Sequence, residues 1–219
     1  MPEMGSVPGV ALASKWAAPG DYRTARLVAH QDLVETKYLT CYLLERPLLQ
    51  ALQAWREHGL ALKAAGRYLG YRNSYLSGLF RLAKAYTTAR AVVGPEAIPF
   101  RPNLGVYAYI INIGKANLQP AASRWVDDVC IRSVLNIEGV AGAYSFVTLS
   151  ATEDNPYSAL TPRGRRIVLW YLDRDPLETA KEIGSKLTES ALSFAGASES
   201  NMIDVAFAGP FGRMQHNAL

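Results

Sequence analysis

An α+β fold built from two copies of one β-α-β-β-α-β unit is predicted for this chain, and three observations predict it. The first is self-similarity. With Gly139 laid over Gly9, an offset of 130 residues, Ile131-Arg132-Ser133-Val134 falls on Met1-Pro2-Glu3-Met4, Ile137-Glu138-Gly139-Val140 on Val7-Pro8-Gly9-Val10 and Phe146 on Trp16. Further on, Tyr171 and Pro176 fall on Tyr42 and Pro47 at an offset of 129, the drift that a single loop deletion leaves. The second is the run 125–146, where an amphipathic helix end, a glycine turn and a strand start follow one another. The third is the alternation of short apolar strands with helices that open on Pro47, Pro120 and Pro176, first-turn positions where a missing amide is no loss.

In chain order, residues 1–5 correspond by the repeat to the last turn of a helix. Residues 10–16 read as a strand, Pro19-Gly20 as a turn, 22–30 as a further extended piece and 37–44 (KYLTCYLL) as a buried strand. Pro47 starts a helix with Leu48, Leu49, Leu52 and Trp55 on one side, running to His58-Gly59 or, bent, to Gly66. Strand signals gather again around 78–83, and 94–102, with three prolines and a glycine, reads as a linker. Residues 104–113 form a strand with Tyr107 and Tyr109 on one face and Val106, Ala108 and Ile110 on the other. The helix from Pro120 turns Ala122, Trp125, Val126, Val129, Cys130 and Val134 inward and Arg124, Asp127, Asp128 and Arg132 toward water. A strand at 140–149, a polar loop through Asn155-Pro156 and Thr161-Pro162, a strand at 166–172, a helix carrying Leu177, Ala180, Ile183, Leu187 and Ala191, and a last strand at 202–208 complete the chain.

The later copy thus has the full order of a ferredoxin-like unit, whose antiparallel sheet carries both helices on one face. Two such half-barrels in tandem cover their open sheet faces by packing face to face. The expected segments are 1–93, a truncated repeat; 94–103, a linker; 104–210, a complete repeat; and 211–219, a tail. The first copy lacks its opening strand and most of its first helix. Because that strand is central in the sheet, its absence leaves unpaired backbone groups; the expectation is that Met1 is an internal methionine of a longer reading frame, or that another strand fills the gap.

With 219 residues, 49% of them apolar, the chain has enough material for a sizeable core. The net charge of +4 is scattered, and its one tight cluster, 163–166 (RGRR), reads as a solvated basic loop rather than a nucleic-acid patch. Cys41 and Cys130 lie in apolar contexts outside any metal or CxxC spacing, as reduced core thiols do. No apolar run reaches the roughly 18 residues that a membrane helix needs, and no leader pattern opens the chain, so a cytoplasmic protein without membrane or nucleic-acid partners is expected.

Trp125-Val126-Asp127-Asp128-Val129-Cys130-Ile131, the Ile-Glu-Gly-Val turn after it, and Leu172-Asp173-Arg174-Asp175-Pro176-Leu177 resemble the EthD-like branch of the dimeric α/β-barrel superfamily. The resemblance covers 106–208 well and 1–59 in weaker, truncated form. It implies a fold shared by cofactor-free monooxygenases, isomerases, polyketide cyclases, lyases and haem enzymes, and so no single reaction. Relatives carry a Trp-Tyr-Asp/Asn-x-x-His-x-Pro run whose histidine can exchange protons near neutrality. Here Val126 stands for the tyrosine, Cys130 for the histidine and Arg132 for the proline, while in the first copy only Pro2 survives.

Cys130 is either a nucleophile or an inert buried thiol, and its place on the apolar stripe favours the second. His30, before Gln31-Asp32, is a loop residue that could reach a pocket; His58 suits a helix end, where a cation meets the dipole; His216 lies in a polar tail. Three scattered histidines offer no metal site. Asp127-Asp128 diverge on a helix and read as a solvated face rather than paired carboxylates. Tyr107, Tyr109, Trp125, Tyr144, Phe146, Trp170 and Tyr171 are plain core or, between sheet and helices where the resemblance puts a ligand, the lining of a pocket for a planar apolar molecule. No phosphate-binding glycine loop is present. The expected function is therefore binding of a small apolar or aromatic molecule through Tyr107, Tyr109, Trp125, Cys130, Tyr144 and Trp170, with no cofactor and a homodimer as one form. The alternatives are a cofactor-free enzyme on an aromatic or polyketide-like substrate, with Tyr109, Tyr144 or His30 moving the proton, and a structural subunit without activity.

Overall fold

The computed structural model of the chain describes residues 2–67, 74–113, 119–149, 164–195 and 203–214; the expected polar loop through Asn155 and Thr161, Arg163 and His216 lie outside them. Among the described residues there are eight strands and six α-helices: β1 (Val10–Ala17), α1 (Gly20–Thr24), β2 (Val28–Ala29), α2 (Gln31–Val34), β3 (Tyr38–Leu44), α3 (Leu48–Ala64), β4 (Phe80–Thr87), β5 (Gly105–Ile113), α4 (Gln119–Trp125), α5 (Ile131–Leu135), β6 (Val140–Thr148), β7 (Arg165–Leu172), α6 (Pro176–Ala195) and β8 (Ile203–Arg213). The fold is α+β. Its paired strands in the second half all run antiparallel. The chain divides into two compact units, Met1–Trp16 with Tyr38–Ser74, and Ala17–Lys37 with Tyr75–Leu219.

In the first unit a tight 3-10 turn at Pro2–Ser6 precedes β1, which neighbours β3. Gly9 enters β1 with φ +84°, and a Cβ there would sit 2.6 Å from the Ala51 Cβ, so only glycine lets α3 lie this close to the turn. The helix buries Ala51 and Leu62 while Leu48 and Leu49, expected on its inner side, are exposed. Trp55 packs edge-on to Tyr42, ring centroids 5.9 Å apart. Because α3 runs on to Ala64, His58 sits inside it and not at its end.

From residue 105 the second unit runs β5, α4, α5, β6, β7, α6, β8. Its four strands lie β8-β5-β7-β6, with β4 on the outer edge of β6 and β2 on β8. Residues 22–30, expected to be extended, instead form α1 and only two residues of strand; Gly20-Asp21 supply the turn that starts the helix. Strand β8 runs past 208 to Arg213 and buries Phe211, so the expected tail 211–219 begins inside the sheet. Helix α6 opens on Pro176 with the Asp175 carboxylate accepting from the Leu177 and Glu178 amides at 2.8 and 2.9 Å, a side-chain N-cap.

Gly139 repeats the geometry of Gly9. It has φ +104°, its missing Cβ leaves room for Thr179 of α6, and the Val140 amide bonds the Ile137 carbonyl as the Val10 amide bonds that of Val7. The Gly139 carbonyl accepts from Asp173 as the Gly9 carbonyl accepts from Glu45.

The expected linker is packed: Ile98 and Asn103 are buried, and the Asn103 amide donates to the carbonyls of Ile98 and Arg101. A Cβ on Gly142 would lie 2.4 Å from the Tyr86 carbonyl and 2.9 Å from Ile98. Gly142→Val is therefore expected to destabilise by about 2 kcal/mol, in the range of overpacked cores, which urea unfolding measures.

Candidate functional site

Strand alternation divides the second unit's sheet into two faces. Tyr107 pairs with Trp170 and Tyr109 with Val168, and these side chains, with Ile111 and Leu172, form one core with Val126, Cys130, Ile131 and Val134 of the helical layer. Tyr107 and Tyr109 flank Trp170, centroids 6.1 and 5.9 Å away. Tyr144 pairs with Leu169 and Gly142 with Tyr171, which puts Tyr144, Phe146 and Tyr171 on the opposite face. There Tyr144 contacts both other rings, and its hydroxyl donates to the Glu96 carbonyl at 2.9 Å. The seven aromatics expected around one pocket are thus split between two faces; Trp125 stays with Cys130 and Trp170 on the helical side.

Between α4 and α5 the helix widens into a π-turn at Val126–Cys130. The wider turn changes which side chains point inward. Val129, expected inside, is 41% exposed, whereas Asp127, expected in water, is 6% exposed. Its carboxylate meets the Arg166 guanidinium on one oxygen and the Lys84 ammonium at 2.7 Å on the other. Arg166, expected in a solvated basic loop, is 2% exposed on the helical face of β7, where its Nε donates to Ser145 Oγ at 2.8 Å and Nη1 to the Ser123 carbonyl at 3.2 Å. Tyr86 stands beside this group, its hydroxyl pushed up to about 12 by burial and then by the Asp127 carboxylate. Sequence reasoning missed these residues. The available signals were the alternation of Arg166 with Val168 and Trp170 on one strand face, and of Lys84 with Tyr86 on another.

Among the described residues, Tyr107 Oη and Trp170 Nε1, both on fully buried residues of the layer, have no protein hydrogen-bond partner. Each such group costs about 1–3 kcal/mol if nothing satisfies it. Burial and then the neighbouring Cys130 raise the Tyr107 and Tyr109 hydroxyls well above the usual phenol range, so both keep their protons. Burial pushes the Cys130 thiol up to about 12 and the Cys41 thiol up to about 11, and a protonated thiol is a poor nucleophile.

His30 lies apart from the aromatic layer, half-exposed just before α2, with Nε2 3.2 Å from Asp204 Oδ1. Asp204 also accepts from Asn112 Nδ2 at 2.9 Å, and Asn112 Oδ1 from Arg165 Nε at 2.9 Å. Two surface depressions of about 430 and 570 Å³ lie elsewhere again, both beside residues 24–27, one against α6 and the other against α1 and Glu35. Among the described residues no group of three or more His, Cys, Asp or Glu is placed to hold a metal ion, and no helix is long and apolar enough to cross a membrane.

No family model matches the chain, and no curated protein matches it significantly. A solved structure similar to it is the crystal structure of a protein described as a "putative monooxygenase" from Fusobacterium nucleatum subsp. nucleatum, at 11% identity and a TM-score of 0.47 over 99% of this chain and 85% of that one. A likeness of that degree defines no activity.

Removing Asp127 strands the buried Arg166 charge, so Asp127→Ala should cost about 3–5 kcal/mol. Lys84 is half-exposed, and Lys84→Ala should cost about 1 kcal/mol or less. Chemical denaturation of the two variants distinguishes the roles.

Proposed function

We propose that this protein binds a small, largely apolar or aromatic molecule between the sheet and the helices of its second unit, as a tandem member of the dimeric α/β-barrel superfamily close to the EthD-like branch. The single observation that carries the binding reading is the pair of unsatisfied groups, Tyr107 Oη and Trp170 Nε1, in an otherwise apolar layer. An indole N–H only donates, and a tyrosine whose proton is held firmly acts as a donor too. The ligand that suits them is planar and carries an acceptor oxygen. Tyr109, Trp125 and Cys130 supply the apolar surround, and Tyr144 belongs to the other face. The matching turns at Gly9 and Gly139 support the tandem.

Thermal-shift measurement against phenols, aromatic acids and aromatic ketones tests this. A ligand at a hundred times its dissociation constant should add about 2.7 kcal/mol of stability, and Tyr107→Phe should remove that gain while leaving the unliganded protein as stable or more so, because it deletes an unsatisfied hydroxyl. No shift from any of these classes would end the reading.

His30 against Asp204 favours a second reading, a cofactor-free enzyme, because a carboxylate holds an imidazole in one orientation for proton transfer. Tyr109 and Tyr144 then serve only as proton donors near neutrality. Turnover of an aromatic substrate, lost in His30→Gln, is the outcome this version requires.

A further inference from the structure

Two backbone irregularities of the second unit meet at one ion pair. The π-turn at Val126–Cys130 adds one residue to a helical turn. Strand β4 carries a bulge between Leu82 and Lys84: Leu82 pairs with Phe146, and Lys84, two residues on, pairs with the adjacent Ser145. A regular β4 would pair Lys84 with Tyr144 and leave it, with Leu82, on the face away from the helices. The bulge brings Lys84 and then Tyr86 onto the helical face, and the π-turn turns Asp127 toward them. Lys84 Nζ meets Asp127 Oδ2 at 2.7 Å, joining the last strand of the order to the helical layer.

The aromatic layer behind this pair is closed. Tyr107, Trp170 and Cys130 have no exposure, so a ligand reaches them only through an opening. Cover is thin at the pair. Lys84 is half-exposed, and Leu82 and Val129, each two residues from one member of the pair, are exposed as well. Tyr86 stands across Ala143 from Trp170 and packs on the layer while only partly buried.

On the reading that the layer takes a ligand, we propose that the Lys84–Asp127 pair latches its entrance, and that release of Lys84 opens the way between β4 and the π-turn. Asp127 keeps Arg166 throughout, so the opening leaves no buried charge unpaired. Lys84 is already half in water, and a pair of that kind is weak and screened by salt. The latch therefore opens locally, well short of unfolding.

Cys130 reports the opening without any ligand. In Cys41→Ser it is the one thiol left in the chain, and its reaction with 4,4′-dithiodipyridine, a small neutral disulfide, is followed by absorbance. The reaction should run about two- to fivefold faster when Lys84→Ala is added, the fold-change that loss of such a pair gives. Sodium chloride at about 1 M should speed the form that keeps Lys84 and leave the Lys84→Ala form unchanged. Low urea should change neither rate, as befits a local opening. Equal rates with and without Lys84, or rates that climb with urea as steeply as global unfolding does, overturn the latch. That result leaves the binding reading untouched, since no ligand enters the measurement; faster reaction in Lys84→Ala beside no thermal shift from any aromatic class sinks the binding reading instead.

Discussion

The Asp127 carboxylate is the constraint on which the second unit depends. It sits where the helical layer meets β7 and β4, and it neutralises Arg166 from one and Lys84 from the other. A guanidinium as buried as that of Arg166 needs both a counter-charge and partners for its remaining N–H groups, and Asp127, Ser145 and the Ser123 carbonyl together supply them. The carboxylate reaches this position only because the helix widens at Val126–Cys130. Helix geometry, strand face and charge are therefore set together, while the pairing of β5 with β7 spaces Tyr107, Tyr109 and Trp170.

That layer is apolar on most sides but unbalanced in hydrogen bonding. The indole of Trp170 and the hydroxyl of Tyr107 both offer protons, and the nearest thiol, Cys130, keeps its own. An interior with donors and no matching acceptors favours whatever brings oxygen lone pairs into it. The opposite face has no such imbalance at Tyr144, whose hydroxyl is used by the Glu96 carbonyl to hold the Pro95–Phe100 turn against the sheet.

Much of the fold was legible because strand alternation and proline-opened helices are local signals. β5, β6, β7 and α6 fall within a residue or two of their expected bounds over most of their ends, and the glycine turns before β1 and β6 show matching hydrogen bonds. The polar site was not legible, for a specific reason. A period of 3.6 residues assigns Val129 inward and Asp127 outward, and a π-turn reverses both; nothing in the composition of Val126–Cys130 announces it. Arg166 was misassigned because it closes a basic cluster, although its alternation with Val168 and Trp170 already pointed inward. Residues 22–30 failed differently, since a helix as short as α1 carries too few turns to show a period.

The π-turn also changes what the chain can tolerate in length. Loss of one residue between Val126 and Cys130 would let the backbone relax into an ordinary α-helix, and because a π-turn is an α-turn with one residue more, α4 and α5 would keep their faces. Only the side chains inside the turn would change sides, and the acidic one would exchange places with an aliphatic one. Homologous chains with a deletion here should therefore also have replaced the arginine on the facing strand, a covariation between chain length and charge rather than between two side chains.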